Sequence, residues 1–178
     1  MRNAFLLTCT AILLLLCSGC AGPEPQYRTT STVKDIMDSI VDPNADYLWD
    51  AVSSTSSAKG MIEKAPKTDA DWKEMKRHTV ALMEATDLLQ IPLRPVAKPD
   101  EKADNPQVEL SPEVIKTLID SDRGAWIKHN HTLHDATTAM MKAIAARDTT
   151  GVLDAGDQID KACEACHKQY WYPDKPKN

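Results

Sequence analysis

Apolar side chains recur three and four residues apart along four long stretches of the chain, which is the spacing of one face of an α-helix. These stretches predict helices over 32–54, 69–90, 123–147 and 149–172. The stretch 69–90 is the most regular, and its apolar and small residues form one line: Trp72, Met75, Thr79, Leu82, Thr86 and Leu89. A line of this kind is the packing seam of a helical bundle, so the pattern predicts a helical chain.

Proline marks the breaks between these helices. Pro43 interrupts the first stretch, so we expect the helix at 32–54 to be kinked or restarted there. Residues 53–67 are rich in serine and contain both glycine and proline, which predicts a loop. Five prolines within 92–112 exclude a helix and a central strand, which predicts a long extended crossover. A shorter helix is predicted to begin at Ser111-Pro112-Glu113, with serine as the cap and proline in the first turn.

The N-terminus has the composition of an export signal. Arg2 precedes an apolar run from Ala4 to Cys17, which is short for a membrane span but suits the core of a secretory signal peptide. The segment Cys17-Ser18-Gly19-Cys20 resembles the bacterial lipobox, in which a small pair precedes a cysteine that is lipidated. The resemblance implies that Cys20 carries lipid and becomes the first residue of the mature chain.

Cleavage before Cys20 would divide the chain into three parts. Residues 1–19 form the signal peptide, the polar residues 20–31 form a lipidated tether, and 32–178 form a single domain. We therefore expect an exported protein, held in the periplasm at a membrane by its lipid. An ordinary secreted protein cleaved nearby is the alternative.

Near the C-terminus, Cys163-Glu-Ala-Cys166-His167 has the attachment signature of a c-type haem. Each thiol forms a thioether with one of two porphyrin vinyl groups, and the adjacent histidine supplies an axial nitrogen to the iron. The motif predicts one covalent haem, with His167 as the proximal ligand. Gly156, on the same helical face, leaves room for a porphyrin edge or for close helix packing. A thiol oxidoreductase is the other interpretation of the motif, but that use is typical of a strand-rich, thioredoxin-like chain.

Cysteine use and charge restrict the remaining functions. Of the 5 cysteines, Cys9 and Cys17 would leave with the signal peptide, Cys20 would carry lipid, and Cys163 and Cys166 would carry haem. No cysteine then remains for a disulfide or a zinc site. A formal net charge of −5 makes nucleic acid an unfavourable partner. No set of acid, base and nucleophile stands out, so we do not expect an enzyme.

Amphipathic helices with a haem motif near the end of the last one resemble the class II cytochromes c, the cytochrome c prime family. The resemblance covers about residues 31–172 and is most specific in the closing segment 162–173, Ala-Cys-Glu-Ala-Cys-His-Lys-Gln-Tyr-Trp-Tyr-Pro. It implies an all-α, antiparallel four-helix bundle that holds one haem c and transfers electrons, with His167 as the proximal ligand. In six-coordinate members a methionine of the first helix is the distal ligand, and the matching position is Met37.

The sequence leaves more than one candidate for the distal ligand and does not identify the partners. Met37 also fits a core methionine on a regular apolar stripe, and His78, His129, His131 and His134 are rivals for the distal position. An open distal position would give a five-coordinate haem protein that binds or senses nitric oxide or carbon monoxide. The sequence names no redox partner protein, and it leaves a homodimer open.

Overall fold

The structure, a computed structural model, describes residues 27–57 and 60–172, which are mostly helical. The prediction of a helical chain is confirmed to this extent. The elements are α1 (Val33–Ile36), a π-helical turn (Met37–Val41), α2 (Asp42–Ala51), β1 (Ser53–Ser57), β2 (Gly60–Lys64), α3 (Asp69–Gln90), α4 (Pro112–Ser121), α5 (Arg123–Ala146) and α6 (Thr149–Tyr170).

Side-chain caps fix where most of the helices begin. The Thr68 hydroxyl accepts a hydrogen bond from the backbone N–H of Asp71 at 3.2 Å, and the Asp71 carboxylate accepts one from the N–H of Thr68 at 2.8 Å. This reciprocal pair satisfies two donors that a helix start leaves unpaired. Ser111 caps α4 and Asp122 caps α5 with a single bond each, in which a side-chain oxygen accepts from the backbone N–H three residues later. The predicted starts at 69, 112 and 123 are therefore confirmed.

The first helix passes Pro43 by widening just before it. The N–H of Asp42 donates to the carbonyl of Met37, five residues back, which is the hydrogen bond of a π turn. Proline has no N–H, and its ring collides with the carbonyl four residues earlier in a regular α-helix. The wider turn relieves that collision, and α-helix resumes at Asp42 with Pro43 in its first turn. The expected restart at Pro43 is confirmed.

The prediction of a loop at 53–67 is wrong over most of its length. Strands β1 and β2 pair antiparallel there, from Ser53 opposite Lys64 to Ser57 opposite Gly60. All five residues of β2 are exposed, so the hairpin buries neither of its faces. A strand that buries no face carries no alternation of apolar and polar residues, and its pairing leaves no hydrophobic signal in the sequence.

The core lies between the long helices: α5 packs against both α3 and α6, and α2 also packs against α3 and α6. The deepest side chains of these helices are each 1% exposed or less: Leu48, Met75, Leu82, Met140 and Ile159. Helix α4 packs on α5 and α6. The helices therefore surround one hydrophobic core, and every long helix contributes to it.

The proline-rich crossover between α3 and α4 contains no helix and no strand over 91–110, as predicted. It is tied to the start of α1 by backbone hydrogen bonds from Val33 to Pro95 and from Lys34 to Val96. Arg94 is buried, and its guanidinium donates to the carbonyls of Leu88 and Ser31. These bonds hold the crossover against the end of α3 and against the segment that precedes α1.

The predicted signal peptide at 1–19 and the lipidation residue Cys20 lie outside the described residues. Of the tether at 20–31, the structure describes Tyr27 onward. Within the described ranges, no helix is both long and apolar enough to cross a bilayer. Export and lipid attachment stay predictions.

Candidate functional site

One cavity brings the haem motif and the first helix together. It has a volume of about 190 Å³ and lies between the π turn with α2 on one side and α6 on the other, closed by α3 and α5. Its main lining residues are Met37, Val41, Ala45, Trp49, Leu89, Trp126, Leu133, Cys163, Cys166 and His167. The three residues of the motif and the predicted distal methionine therefore line the same space.

Helix α6 presents the motif as one face. Cys166 and His167 follow Cys163 by three and four residues, so all three side chains lie on the same side of the helix. Both cysteines are partly buried, carry no disulfide, and pack against the hydrophobic core. Both cysteines therefore face the core.

The environment of the two thiols disfavours redox chemistry at sulfur. Burial raises the pKa of Cys163 to about 11 and that of Cys166 to about 12. Reactive cysteine pairs instead have lowered pKa values, often at the positive N-terminus of a helix. Here the pair lies in the last turns of α6, near its negative end. A thiol oxidoreductase would lack the thiolate that it needs.

The burial of His167 favours the neutral form of its imidazole. Burial lowers the pKa of His167 below its ordinary value, although the nearby Asp42 carboxylate opposes the shift. Neutral imidazole is the form that binds a metal. One ring nitrogen, Nδ1, lies 3.3 Å from the hydroxyl of Tyr172. The other, Nε2, has no such hydrogen bond among the described residues.

The opposite wall of the cavity is a stripe of residues spaced by four. Met37, Val41, Ala45 and Trp49 all line the cavity. In a regular α-helix a spacing of four drifts by about 40° at each step. The π turn takes up an extra residue, which keeps Met37 in line with Ala45 and Trp49. Met37 therefore reaches the cavity from the π turn that precedes Pro43.

Aromatic and aliphatic side chains form much of the remaining walls, together with the polar side chains of Asp42, Asn130 and Asp160. The Trp126 indole N–H donates to the carbonyl of Leu89 at 3.0 Å, which fixes the ring at the end of α3. The edge of Tyr170 packs on Trp126 with ring centroids 5.2 Å apart. Leu133 completes the apolar lining from α5. Apolar walls of this kind exclude water from a bound group and tune its redox potential.

Trp49 is a lining residue that the sequence did not single out. Its indole N–H donates to the carbonyl of Gly156 at 3.1 Å. A Cβ on Gly156 would lie 3.4 Å from Cδ1 of that ring. Gly156 itself does not line the cavity, so the room it leaves is used for helix packing by Trp49. Spacing by four from Met37 was the one signal that could have found Trp49.

Of the rival histidines, only His129 lines the cavity. One of its ring nitrogens lies 2.8 Å from the side-chain oxygen of Gln169. His78 instead stacks on Tyr47, with ring centroids 3.7 Å apart, outside the cavity. The remaining two, His131 and His134, do not line it either. His129 is therefore the one rival that stays close to the candidate iron position.

The donor set suits haem better than a bare metal ion. Over 27–57 and 60–172, no three His, Cys, Asp or Glu residues are grouped so as to hold a metal. Haem iron brings four porphyrin nitrogens and needs one or two axial ligands from the protein. The cavity is smaller than the roughly 300–1,000 Å³ of pockets that bury small ligands. A porphyrin in this place requires the lining side chains to move apart or leaves part of the ring in solvent.

Comparison of the chain with protein-family models, with curated proteins and with solved structures finds no match. The resemblance to class II cytochromes c therefore rests on the motif and on the order of the helices.

Proposed function

We propose that this chain is a monohaem c-type cytochrome that carries electrons and is not itself an enzyme. One observation carries the proposal: the Cys-x-x-Cys-His motif and Met37 line one cavity, whose other walls combine apolar side chains with polar ones such as Asp42, Asn130 and Asp160. A bound haem supplies one-electron chemistry between ferric and ferrous iron. The residues around it would attach it, ligate it and keep water away.

Each motif residue has a separate task. Each cysteine thiol adds across a vinyl double bond, sulfur to one carbon and hydrogen to the other, so no oxidant is consumed. His167 donates a lone pair from its free ring nitrogen as the proximal ligand. Met37, on the facing helix, donates its thioether as the distal ligand, and a soft sulfur ligand raises the reduction potential.

The packing of the helices supports an antiparallel four-helix bundle as the scaffold. Its members would be the first helix, from α1 through the π turn to α2, together with α3, α5 and α6. Contacts join the first helix to α3, α3 to α5, and α5 to α6, and α2 also touches α6. Neighbours in sequence thus pack side by side, as in an up-and-down bundle, except that the crossover and α4 are inserted between α3 and α5.

Covalent attachment is the most direct test. The full chain, expressed in a host with c-type maturation machinery, should keep haem on a denaturing gel. Its mass should equal that of the processed chain plus one haem. Acid acetone should leave the colour with the protein, because it extracts only haem that is held without covalent bonds. Colourless protein after extraction would contradict the proposal.

We propose further that the protein is exported and lipidated at Cys20, which lies outside the described residues. The Cys20→Ala variant should move from the membrane fraction to the soluble periplasmic fraction. Its haem content per protein should equal that of the wild type, because the cavity begins at Met37, 17 residues further along the chain. Fractionation with haem staining measures both. A wild-type chain found soluble, with an unmodified N-terminus cleaved elsewhere, would overturn lipidation and leave the haem proposal intact.

A further inference from the structure

The hydroxyl of Tyr172 links His167 to a carboxylate. It lies 3.3 Å from Nδ1 of His167 and donates its own hydrogen to Oε2 of Glu164 at 3.1 Å. The second oxygen of Glu164 pairs with the ammonium of Lys168 at 2.9 Å. Three side chains beyond His167 thus form a continuous polar chain: Tyr172, Glu164 and Lys168.

The hydrogen bond from Tyr172 to Glu164 assigns the tautomer of His167. A phenol has a single hydrogen, and the hydroxyl of Tyr172 uses it in the bond to Glu164. Its oxygen can then only accept from His167, so Nδ1 carries the ring hydrogen. In a neutral imidazole the other nitrogen, Nε2, is then an unprotonated lone-pair donor.

The backbone holds Tyr172 in this position. Helix α6 ends at Tyr170, and the N–H groups of Trp171 and Tyr172 both donate to the carbonyl of His167, at 2.7 and 3.0 Å. The carbonyl of Trp171 accepts from the N–H of Leu110 at 2.8 Å, which ties the turn to the crossover. The rings of His167 and Tyr172 meet edge to face, with centroids 5.6 Å apart.

We propose that Tyr172, held by Glu164, is a positioning residue for the proximal ligand of the candidate haem site. The proposal rests on the haem function argued above and adds a residue outside the Cys-x-x-Cys-His motif. Metal-ligating histidines usually donate their second N–H to a carboxylate, a carbonyl or water. Here the hydroxyl of Tyr172 would lie between the two groups, accepting from Nδ1–H of His167 and donating to the carboxylate of Glu164. It fixes the tautomer, and it makes the imidazole a stronger donor that favours ferric iron.

The decisive variant is Tyr172→Phe in the covalently loaded protein, because it keeps the ring contact with His167 and removes only the hydroxyl. Its matched control is Tyr47→Phe, since Tyr47 stacks on His78 and does not line the cavity. A second pair is Glu164→Gln with Asp157→Asn as its control, because Asp157 also pairs with a lysine one turn along α6 but does not line the cavity. The first change weakens the acceptor behind Tyr172, and the second leaves both oxygens of Glu164 in place.

Two measurements read out the hydrogen bond. Proton NMR of the reduced protein should show a His167 Nδ1–H that exchanges slowly with solvent in the wild type and in both controls. Exchange should be at least about tenfold faster in Tyr172→Phe, because the N–H loses its acceptor; loss of such an outer-shell partner typically costs 10- to 100-fold in metal affinity or activity. The reduction potential of Tyr172→Phe should rise. A tenfold shift of the ferric–ferrous equilibrium corresponds to about 59 mV for one electron.

The outcomes separate this proposal from the one on which it rests. Faster Nδ1–H exchange and a raised potential in Tyr172→Phe, with smaller changes of the same sign in Glu164→Gln, support the positioning role. If Tyr172→Phe matches Tyr47→Phe in both measurements while haem remains covalently bound, the positioning role is wrong and the haem proposal stands. If the wild-type chain binds no covalent haem, both are wrong.

Discussion

Replacing both motif cysteines, as Cys163→Ala with Cys166→Ala, should abolish covalent haem and leave little folded protein. The two side chains line the cavity, and they are the only cysteines within the described residues. A group bound only by the folded state stabilises it by about 3–4 kcal/mol when its concentration is 100 to 1,000 times the dissociation constant. That amount is a large part of the stability of a domain of this size. Haem staining of a denaturing gel and the yield of soluble protein measure the two effects.

The matched control for the double variant is Cys20→Ala. It also removes a cysteine, but one that lies before the domain, so the haem per protein and the yield of folded protein, summed over the membrane and soluble fractions, should stay at the wild-type level. Each single variant, Cys163→Ala or Cys166→Ala, should keep covalent haem through the one remaining thioether, at reduced yield. A double variant that retains haem after denaturation would show that the motif does not attach it.

Most of the helices could be predicted because their signals are local. The helix predicted at 69–90 matches α3 at both ends. Thr68 and Asp71 form its cap within four residues, and its apolar line needs only the helical period to be recognised. The same holds for α4, whose start is written in three consecutive residues, Ser111-Pro112-Glu113.

The two features that escaped prediction depend on more than the local pattern. The hairpin of β1 and β2 buries neither face, so neither strand shows an alternation that could be read. Pro43 predicted a restart of the first helix, but it did not predict the π turn that lies just before it, at Met37–Val41. A helix can accommodate a proline by a kink, a break or a wider turn, and packing against other helices determines which of these forms.

The candidate site likewise has one part that the local sequence predicts and another that depends on the packing of distant segments. Cys163, Cys166 and His167 are neighbours in sequence, so the motif and its helical period were enough to place them on one face. The opposite wall comes from distant parts of the chain, and Leu89 and Trp49 reach the cavity only through helix packing. Tyr172 lies five residues beyond His167, outside any helical spacing that faces it, and the turn that ends α6 brings it back.

The Met37→Ala variant should convert a low-spin haem protein into a high-spin one that binds carbon monoxide. Met37 lines the cavity from the wall opposite His167, and its side chain is partly buried there. A methionine is long and flexible, so it can reach an iron held between the two helices. The wild type should be six-coordinate, with a methionine–iron charge-transfer band in the near infrared of the ferric form. The variant should lose that band and have a lower reduction potential, because the thioether favours ferrous iron.

The control for Met37→Ala is Met140→Ala, in which a fully buried methionine outside the cavity is shortened. Truncation of a buried methionine costs about 2–5 kcal/mol of stability through the cavity it leaves. Met140→Ala should therefore unfold at lower denaturant concentration while its spectrum stays low-spin, whereas Met37→Ala should change the spectrum. A wild type that is already high-spin would leave the distal position open and favour nitric oxide or carbon monoxide binding as the function. A low-spin spectrum that survives Met37→Ala would move the distal ligand to His129, the one rival histidine that lines the cavity.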